Sequence, residues 1–228
     1  MTTTLTLPPL RLSDFKLIAF DMDSTLIDIE TVDEIADIAG CGPEVAAITE
    51  ATMRGEITDY KDSLRRRVAL LRGVPLSALQ AVYDQRLHLN PGAETLIAAC
   101  KQAGLRVVLL SGGFTFFTDR LRDRLQLDDT RSNVLEIEDG RLTGRMLPQP
   151  WGDICDGEAK KDKLLECCRA MGIPPARAIA VGDGANDLPM MRVAGLSVAY
   201  HAKPLVREAA TLAIDNGGLD RLLGFLKP

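Results

Sequence analysis

The sequence contains no apolar run close to the ~20 residues that a helix needs to cross a bilayer, which argues against a membrane-spanning protein. Its first residues, MTTTLTLPPLRLSDF, have neither a basic start nor a continuous apolar segment, so a signal peptide is not expected. Basic residues are not in excess either, because the formal net charge is −5, and this argues against a nucleic-acid-binding surface. A cytoplasmic enzyme or binding protein, with no nucleic-acid or membrane partner, is the expectation that remains.

Paired cysteines are also lacking. The cysteine count is five, an odd number, and no two of them have the CxxC spacing of a metal or redox site. We therefore expect reduced thiols in a reducing compartment at Cys41, Cys100, Cys155, Cys167 and Cys168.

What the sequence does contain is the pattern of an α/β protein. A length of 228 residues with 46% hydrophobic residues suffices for one core and a smaller second module. Short apolar runs without polar alternation predict buried parallel strands, and helical patterns at 94–104, 115–127 and 160–172 separate them. This alternation predicts a doubly wound, mainly parallel sheet, with strands at 17–20, 106–110, 178–181 and 197–200 and a candidate fifth at 212–214.

Two interruptions break the alternation. Residues 29–90 have several amphipathic helical patterns with no strand between them, which predicts a helical cap inserted after the first strand. The catalytic core would then consist of residues 1–28 and 91–228. The second interruption, 133–147, alternates in polarity around Asp139-Gly140, which predicts a β-hairpin.

Polar residues follow three of the predicted strands, as DMDST at 21–25, SGG at 111–113 and GDGAND at 182–187. Each segment alone is weak evidence, because a turn also favours Asp, Ser and Gly. Ligands of open α/β sheets bind at the carboxyl ends of the strands, where these segments would converge. The combination predicts a site for a phosphate group and a metal ion.

The residue types in these segments suggest their chemistry. Carboxylates of Asp21, Asp183 and Asp187 offer the oxygen ligands that Mg²⁺ prefers. One carboxylate can attack phosphorus and a second can move the proton, which fits an acid pair two residues apart. A phosphoryl group also needs a cation, and either Lys160 or Lys161 could supply it from the start of a predicted helix.

The segments FDMDST, LLSGG, AKKDKLL and VGDGANDLPM match, in order, the four motifs of the haloacid dehalogenase superfamily. The Asp-x-Asp form of the first motif belongs to its phosphatase and phosphotransferase branches. Within them the sequence is similar to the phosphoserine phosphatases, over residues 16–227. The cap segments IETVDEIA and SLRRRV carry this second likeness, and substrate choice resides in the cap in this superfamily.

This resemblance implies roles in the catalytic core. It assigns Asp21 as the nucleophile and Asp23 as the general acid and base. Mg²⁺ would be held by the Asp21 carboxylate, the backbone carbonyl of Asp23 and Asp183, with Asp187 nearby. Lys160 would neutralise the phosphoryl group, so the resemblance selects Lys160 over Lys161.

The resemblance also implies the residues that bind substrate. Ser111 and Gly112 would contact the phosphoryl group, and Asn186 would help to hold the phosphate or the attacking water. In the cap, Glu30 would meet the substrate ammonium and Arg67 its carboxylate. On the residues alone, Glu30 and Arg67 would be solvated positions, one in a first helical turn and one in an RRR run.

The sequence departs from the family pattern in the cap. The segment MRGEITDYKDSL carries one extra residue and has Tyr60 where the family has Phe, which leaves the serine pocket and any role of Met53 or Tyr60 open. Many relatives carry an N-terminal regulatory domain, whereas here the first predicted strand begins near residue 16. Regulation through such a domain is therefore not expected.

The leading hypothesis is Mg²⁺-dependent hydrolysis of O-phosphoserine to serine and phosphate, in serine biosynthesis. Two enzymatic alternatives stay open: a related small-molecule phosphatase, and a phosphotransferase that uses an alcohol such as homoserine as acceptor. A phosphoamino-acid sensor without activity is the non-enzymatic alternative, although it would be expected to lack Asp21, Asp23 or the lysine. Either a monomer or a homodimer is compatible with the sequence.

Overall fold

A computed structural model describes residues 10–54 and 56–226 of the chain. Strand β1 (Leu17–Phe20) lies in the middle of the sheet and is completely buried. It pairs in parallel with β2 (Arg106–Phe114) on one side and with β5 (Ala178–Gly182) on the other. The motif that follows β1 therefore lies at the centre of the sheet's carboxyl edge.

The sheet has seven strands in the order β4-β3-β2-β1-β5-β6-β7. All neighbouring strands are parallel except β3 and β4, which form the predicted antiparallel hairpin. This arrangement confirms the predicted doubly wound, mainly parallel α/β fold. The remaining strands are β3 (Asp129–Glu138), β4 (Arg141–Leu147), β6 (Leu196–Tyr200) and β7 (Leu212–Ile214).

Helices cover both faces of this sheet, and their bounds agree closely with the sequence patterns. The helices that follow β1 are α1 (Thr31–Ala39), α2 (Gly42–Met53), α3 (Tyr60–Leu70) and α4 (Leu76–Gln85). The helices of the sheet region are α5 (Ala93–Gln102), α6 (Thr115–Leu125), α7 (Gly157–Ala170), α8 (Leu188–Val193), α9 (Pro204–Ala209) and α10 (Arg221–Phe225).

Strand β1 shows why its apolar run has no polar alternation. Ile18 and Phe20 belong to one hydrophobic cluster, which also contains residues of α5 and α6. Leu17 and Ala19 point to the opposite face, into a second cluster with residues of α7 and α8. Both faces of the strand are therefore removed from water, as a parallel strand between two helical layers requires.

The helical segment between β1 and β2 shares the first of these clusters, to which Ile35, Leu64 and Leu79 contribute. Residues 73–76, between α3 and α4, are also bound to the hairpin by backbone hydrogen bonds. Gly73 N donates to Leu142 O (2.8 Å), and Leu76 N donates to Gly140 O (3.0 Å). One side of the helical segment is thus fixed to the end of the hairpin.

A second connection is made by exposed ion pairs. Lys61 Nζ lies 2.9 Å from Asp153 Oδ1, in the loop that precedes α7. Arg65 pairs with the same carboxylate. Since the side chains of Arg65 and Asp153 are 51% and 47% exposed, these pairs are weak compared with the backbone bonds.

Two predicted boundaries differ from the structure. The SGG segment is not a loop after the second strand but the last part of β2, where the pairing register with β3 shifts between Leu110 and Phe114. Strand β3 begins at Asp129, before the predicted hairpin, because its polar first residues pair with β2. The hairpin turn agrees with the prediction, since Asp139 and Gly140 both have positive φ (49° and 71°).

All five cysteines are free thiols, as predicted, and only Cys41 is more than slightly exposed. Among the residues that the structure describes, no helix has the length and apolar character to cross a membrane.

Candidate active site

The first acidic motif forms an unusual turn directly after β1. Asp21 N donates to Val181 O of β5 (2.9 Å), so the sheet pairing continues to Asp21 itself. Beyond it a wide turn is closed by Ile27 N donating to Met22 O (3.0 Å), and Ser24 within the turn has a φ of 55°. Left-handed backbone at a residue other than glycine is typical of functional sites. The turn leaves Asp21 buried and Asp23 partly exposed at the carboxyl edge of the sheet.

Lys160 is the positively charged residue that contacts the buried acids. Its Nζ is completely buried and donates to Asp21 Oδ1 (2.6 Å) and to Asp187 Oδ1 (2.7 Å). Helix α7 fixes this direction, because Asp156 caps its first turn by accepting from Ala159 N (2.9 Å). Lys161 points outward and pairs with Glu158. Of the two candidate lysines, the structure brings only Lys160 to the acids.

Asp187 organises the GDGAND segment. Its Oδ2 accepts from the backbone N–H groups of Asp183 (3.2 Å) and Gly184 (3.1 Å), while its Oδ1 accepts from Lys160. Asp183 is held from the other side, because Thr25 Oγ1 donates to its Oδ1 (3.1 Å). The first and last motifs are therefore linked by side-chain hydrogen bonds.

The acids at this edge fit a hard divalent cation. Asp21, Asp183 and Asp187 each place a carboxylate oxygen within 4.8 Å of the others. Oxygen is the ligand that Mg²⁺ prefers, and Mg²⁺ is bound in proteins through one or two carboxylates. Since both oxygens of Asp187 already accept hydrogen bonds, Asp21 and Asp183 are the acids best able to coordinate an ion.

Burial and mutual repulsion dominate the electrostatics. Burial raises the pKa of Asp21 well above its ordinary value, and the neighbouring Asp187 raises it further. Burial together with Asp187 raises the pKa of Asp183 to about 6. For Lys160, burial lowers the pKa, but the carboxylates of Asp187 and Asp21 outweigh it and the pKa is raised. Lys160 therefore stays charged, and an excess of buried negative charge favours a bound cation.

Asp23 has a different environment from Asp21. Its Oδ1 accepts from Thr31 N at the start of α1 (2.8 Å), and its Oδ2 lies 3.5 Å from Ser111 Oγ. Burial, with the negative charge of Glu30 as the next cause, raises the pKa of Asp23 to about 7. A carboxyl group with such a pKa can both give and take a proton near neutral pH.

The SGG segment is held by Asn133, a residue that the sequence did not indicate. The fully buried amide Nδ2 donates to Gly112 O (2.7 Å) and Gly113 O (3.2 Å), and Oδ1 accepts from Cys155 N (2.8 Å). Ser111 Oγ accepts from Gly113 N (2.8 Å), so its direction is fixed as well. Asn133 thereby ties the end of β2 to the loop that leads into α7.

A cavity of about 590 Å³ lies between these loops and the helical segment. Asp21, Asp23, Gly112 and Asn186 line it from the sheet side, and Glu30 and Arg67 line it from the helical side. Ser111 and Lys160 lie beneath, completely buried. The structure thus brings the sequence-predicted site residues to one cavity and its floor.

The two cap candidates are held differently. Glu30 is the residue before α1 rather than part of its first turn, and its Oε1 accepts from Ser24 Oγ (2.7 Å). Arg67 is half-buried, unlike Arg65 and Arg66, and its buried Nε has no hydrogen-bond partner among the residues described. A buried donor of this kind is suited to an anionic ligand.

The cavity lining also includes residues that the sequence did not single out as site residues, among them Asp33, Lys203 and Tyr60. Asp33 faces the cavity beside Arg67, whose charge lowers the pKa of Asp33 although burial raises it overall. Lys203 is an exposed residue that lines the cavity, and its backbone N–H donates to the backbone oxygen of Asp183 (3.2 Å). Tyr60 also lines the cavity. The side chain of Met53, for which a role was left open, lies outside the described residues, as does Gly55.

Comparison with known proteins gives a consistent result. The model of the haloacid dehalogenase-like hydrolase family matches residues 18–192. A phosphoserine phosphatase of Polaromonas sp. strain JS666 is 71% identical over 96% of this chain and 93% of that protein. One from Albidiferax ferrireducens is 69% identical over 97% and 93%.

Solved structures agree with these relatives. A phospho-aspartyl intermediate analogue of phosphoserine phosphatase superposes with a TM-score of 0.85, at 38% identity, covering 93% of this chain and 99% of that one. A substrate-bound phosphoserine phosphatase complex gives the same TM-score, identity and coverage.

Proposed function

This chain belongs to the haloacid dehalogenase-like hydrolase family, and from this premise we propose that it hydrolyses O-phosphoserine to serine and inorganic phosphate. The named relatives at 71% and 69% identity support this substrate. The observation that carries the proposal is the pair Glu30 and Arg67, which face the same cavity as the two catalytic acids.

The first step transfers the phosphoryl group to the enzyme. A carboxylate oxygen of Asp21 attacks phosphorus, and the bond between phosphorus and the serine oxygen breaks. Asp23 gives its proton to that oxygen as serine leaves, which its pKa of about 7 allows near neutral pH. The product is an acyl phosphate on Asp21.

The second step releases phosphate. Asp23, now a carboxylate, takes a proton from a water molecule that attacks phosphorus, and the bond between phosphorus and Asp21 breaks. Lys160 Nζ, 2.6 Å from Asp21 Oδ1, keeps the nucleophile oriented and offsets the negative charge that collects there. Ser111 and Gly112 would hold the phosphoryl oxygens, and Asn186 would help to hold the phosphate or the attacking water.

A divalent cation completes the site. We propose Mg²⁺, bound by Asp21, the backbone carbonyl of Asp23 and Asp183, with Asp187 positioning Asp183 and Lys160. When bound, the ion supplies positive charge that stabilises the phosphoryl oxygens during transfer. The oxygen-only donor set and the raised pKa values of Asp21 and Asp183 support this choice.

Glu30 and Arg67, in the helical segment, would determine substrate specificity. Phosphoserine carries an ammonium group and a carboxylate besides its phosphate. The Arg67 guanidinium, with its free Nε–H, is suited to the carboxylate, and Glu30 is suited to the ammonium. We accordingly propose that residues 29–90 act as a cap on a catalytic core formed by 1–28 and 91–228. The five free thiols support action in the cytoplasm, where phosphoserine hydrolysis would serve serine biosynthesis.

A phosphate-release screen across phosphorylated metabolites, run with Mg²⁺ and with a chelator, tests this function. We expect phosphoserine to have the highest kcat/KM and the chelator to abolish the release. Candidate alcohols added to the same reaction would yield a new phosphoester if the protein were a phosphotransferase. Equal rates on phosphoserine and on phosphate esters without an amino-acid group would contradict the substrate assignment.

A further inference from the structure

The hydroxyl group of Tyr60 has no part in the chemistry described so far, yet it lies in the active-site cavity. Tyr60 is the first residue of α3, and its ring packs against the main hydrophobic cluster. Asp59 is the N-cap residue of α3 and fixes the start of this helix, because its side chain accepts a hydrogen bond from Lys61 N (2.9 Å). The ring is thereby held in place while its hydroxyl end reaches the cavity.

The hydroxyl lies at the phosphoryl end of the cavity. A Cβ atom built on Gly112 would collide with Tyr60 Oη and would lie 3.2 Å from the ring atom Cζ. Gly112 directly follows Ser111, which is within 3.5 Å of Asp23. The hydroxyl thus lies beside Gly112, at the phosphoryl end of the cavity.

This hydroxyl is available as a donor. Within residues 10–54 and 56–226, no backbone or side-chain group forms a hydrogen bond with Tyr60 Oη. Burial raises the pKa of Tyr60 above its ordinary range, so the O–H keeps its proton at any physiological pH. A protonated hydroxyl without a partner, next to a site for a phosphate dianion, is placed to donate its hydrogen bond to a phosphoryl oxygen.

We propose that Tyr60 Oη donates a hydrogen bond to a phosphoryl oxygen of the substrate, above Gly112, as a further substrate-binding group of this enzyme. The proposal rests on the proposed function for the position of the phosphoryl group. It makes the hydroxyl a contact to the part that all phosphate esters share. Glu30 and Arg67, by contrast, contact the part that only the amino acid has.

The test compares Tyr60→Phe, which removes only the hydroxyl, with Tyr83→Phe in α4 as the matched control, since Tyr83 is not among the residues lining the cavity. We would measure kcat and KM with phosphoserine and with 4-nitrophenyl phosphate at saturating Mg²⁺. The affinity for inorganic phosphate would be measured directly by calorimetry, and circular dichroism would check the fold.

We expect Tyr60→Phe to lower kcat/KM by about 10- to 100-fold on both substrates, as the loss of a hydrogen bond to a charged group would. Phosphate binding should weaken in parallel, and Tyr83→Phe should change nothing. Unchanged constants in Tyr60→Phe would overturn the proposal. So would a loss confined to phosphoserine, because the hydroxyl would then contact the amino-acid end.

A failure of the proposed function would look different. Wild-type protein without activity on phosphoserine would refute the substrate, while phosphate binding and the aryl ester would still report on Tyr60. Gly112→Ala adds a test of proximity. Its collision with the hydroxyl should impair phosphate binding, and the defect should be smaller when Tyr60→Phe is also present.

Discussion

Replacing Lys160 with Met removes the only positive charge that contacts Asp21 and Asp187 within the described chain. The methionine side chain fills a similar volume, so the change is mainly electrostatic. At the N–O distances of 2.6 and 2.7 Å, each attraction is about 6 kcal/mol for an effective dielectric constant of ~20. Much of this gain offsets the cost of burying the charges, which is several kcal/mol for each ion.

The net effect expected from removing one partner of a buried ion pair is about 3–5 kcal/mol. This is a large part of a total stability of about 5–15 kcal/mol. For a chain of this length, it corresponds to a fall in Tm of about 6–20 °C. Because Lys160 has two partners, we expect a loss of unfolding free energy toward the upper end of the range of about 3–5 kcal/mol. The measurement is made in the presence of a chelator, which keeps the acids free of metal.

The matched control is Lys161→Met, one residue further along α7. Its exposed pair with Glu158 should contribute no more than about 1 kcal/mol, and Met and Lys have similar helix propensities. Urea unfolding followed by circular dichroism measures both variants against wild type. Lys160→Met should also lose phosphatase activity on every substrate, whereas Lys161→Met should keep it. Two variants whose unfolding free energies agree within about 0.5 kcal/mol would refute the reasoning.

The other predictions concern the proposed nucleophile, the proposed cap and the buried amide of Asn133. Asp21→Asn should abolish turnover and the phosphorylated intermediate seen by intact-protein mass spectrometry, and ready phosphorylation at another residue would contradict the assignment. Arg67→Ala should raise KM for phosphoserine at least tenfold and leave 4-nitrophenyl phosphate nearly unchanged, with the exposed Arg66→Ala as control; equal losses on both substrates would make Arg67 structural. Asn133→Ala should lower the free energy of unfolding by about 1–3 kcal/mol and lower kcat equally on both substrates. An unchanged kcat would mean that Asn133 does not position the SGG segment.

The sheet could be predicted because its central strands are short apolar runs without polar alternation, a pattern typical of buried parallel strands. Residues 17–20 form a strand with the predicted bounds, since both of its faces are covered. The start of β3 at Asp129 could not be predicted, because its first residues are polar and are strand only through pairing with β2. For the same reason SGG was mistaken for a loop.

The site could be predicted wherever its residues follow a strand, because the topology of an open sheet brings those positions together. Asn133 was not indicated by the sequence, and Ser24 and Thr25 lay in a predicted site segment without an individual role. Each of the three acts through a hydrogen bond to a residue that only the fold brings near. On the residue types alone the choice between Lys160 and Lys161 stayed open, and the family resemblance selected Lys160. In the structure the phase of α7, whose first turn is capped by Asp156, brings Lys160 to the acids.

The attachments of the helical segment differ in their response to salt. Backbone bonds hold residues 73–76 to the hairpin. The start of α3 is joined to the loop before α7 by the exposed pairs of Lys61 and Arg65 with Asp153, which contribute little to stability. Salt screens exposed charges, so high ionic strength should weaken the contact beside Tyr60 while the backbone bonds at 73–76 stay intact.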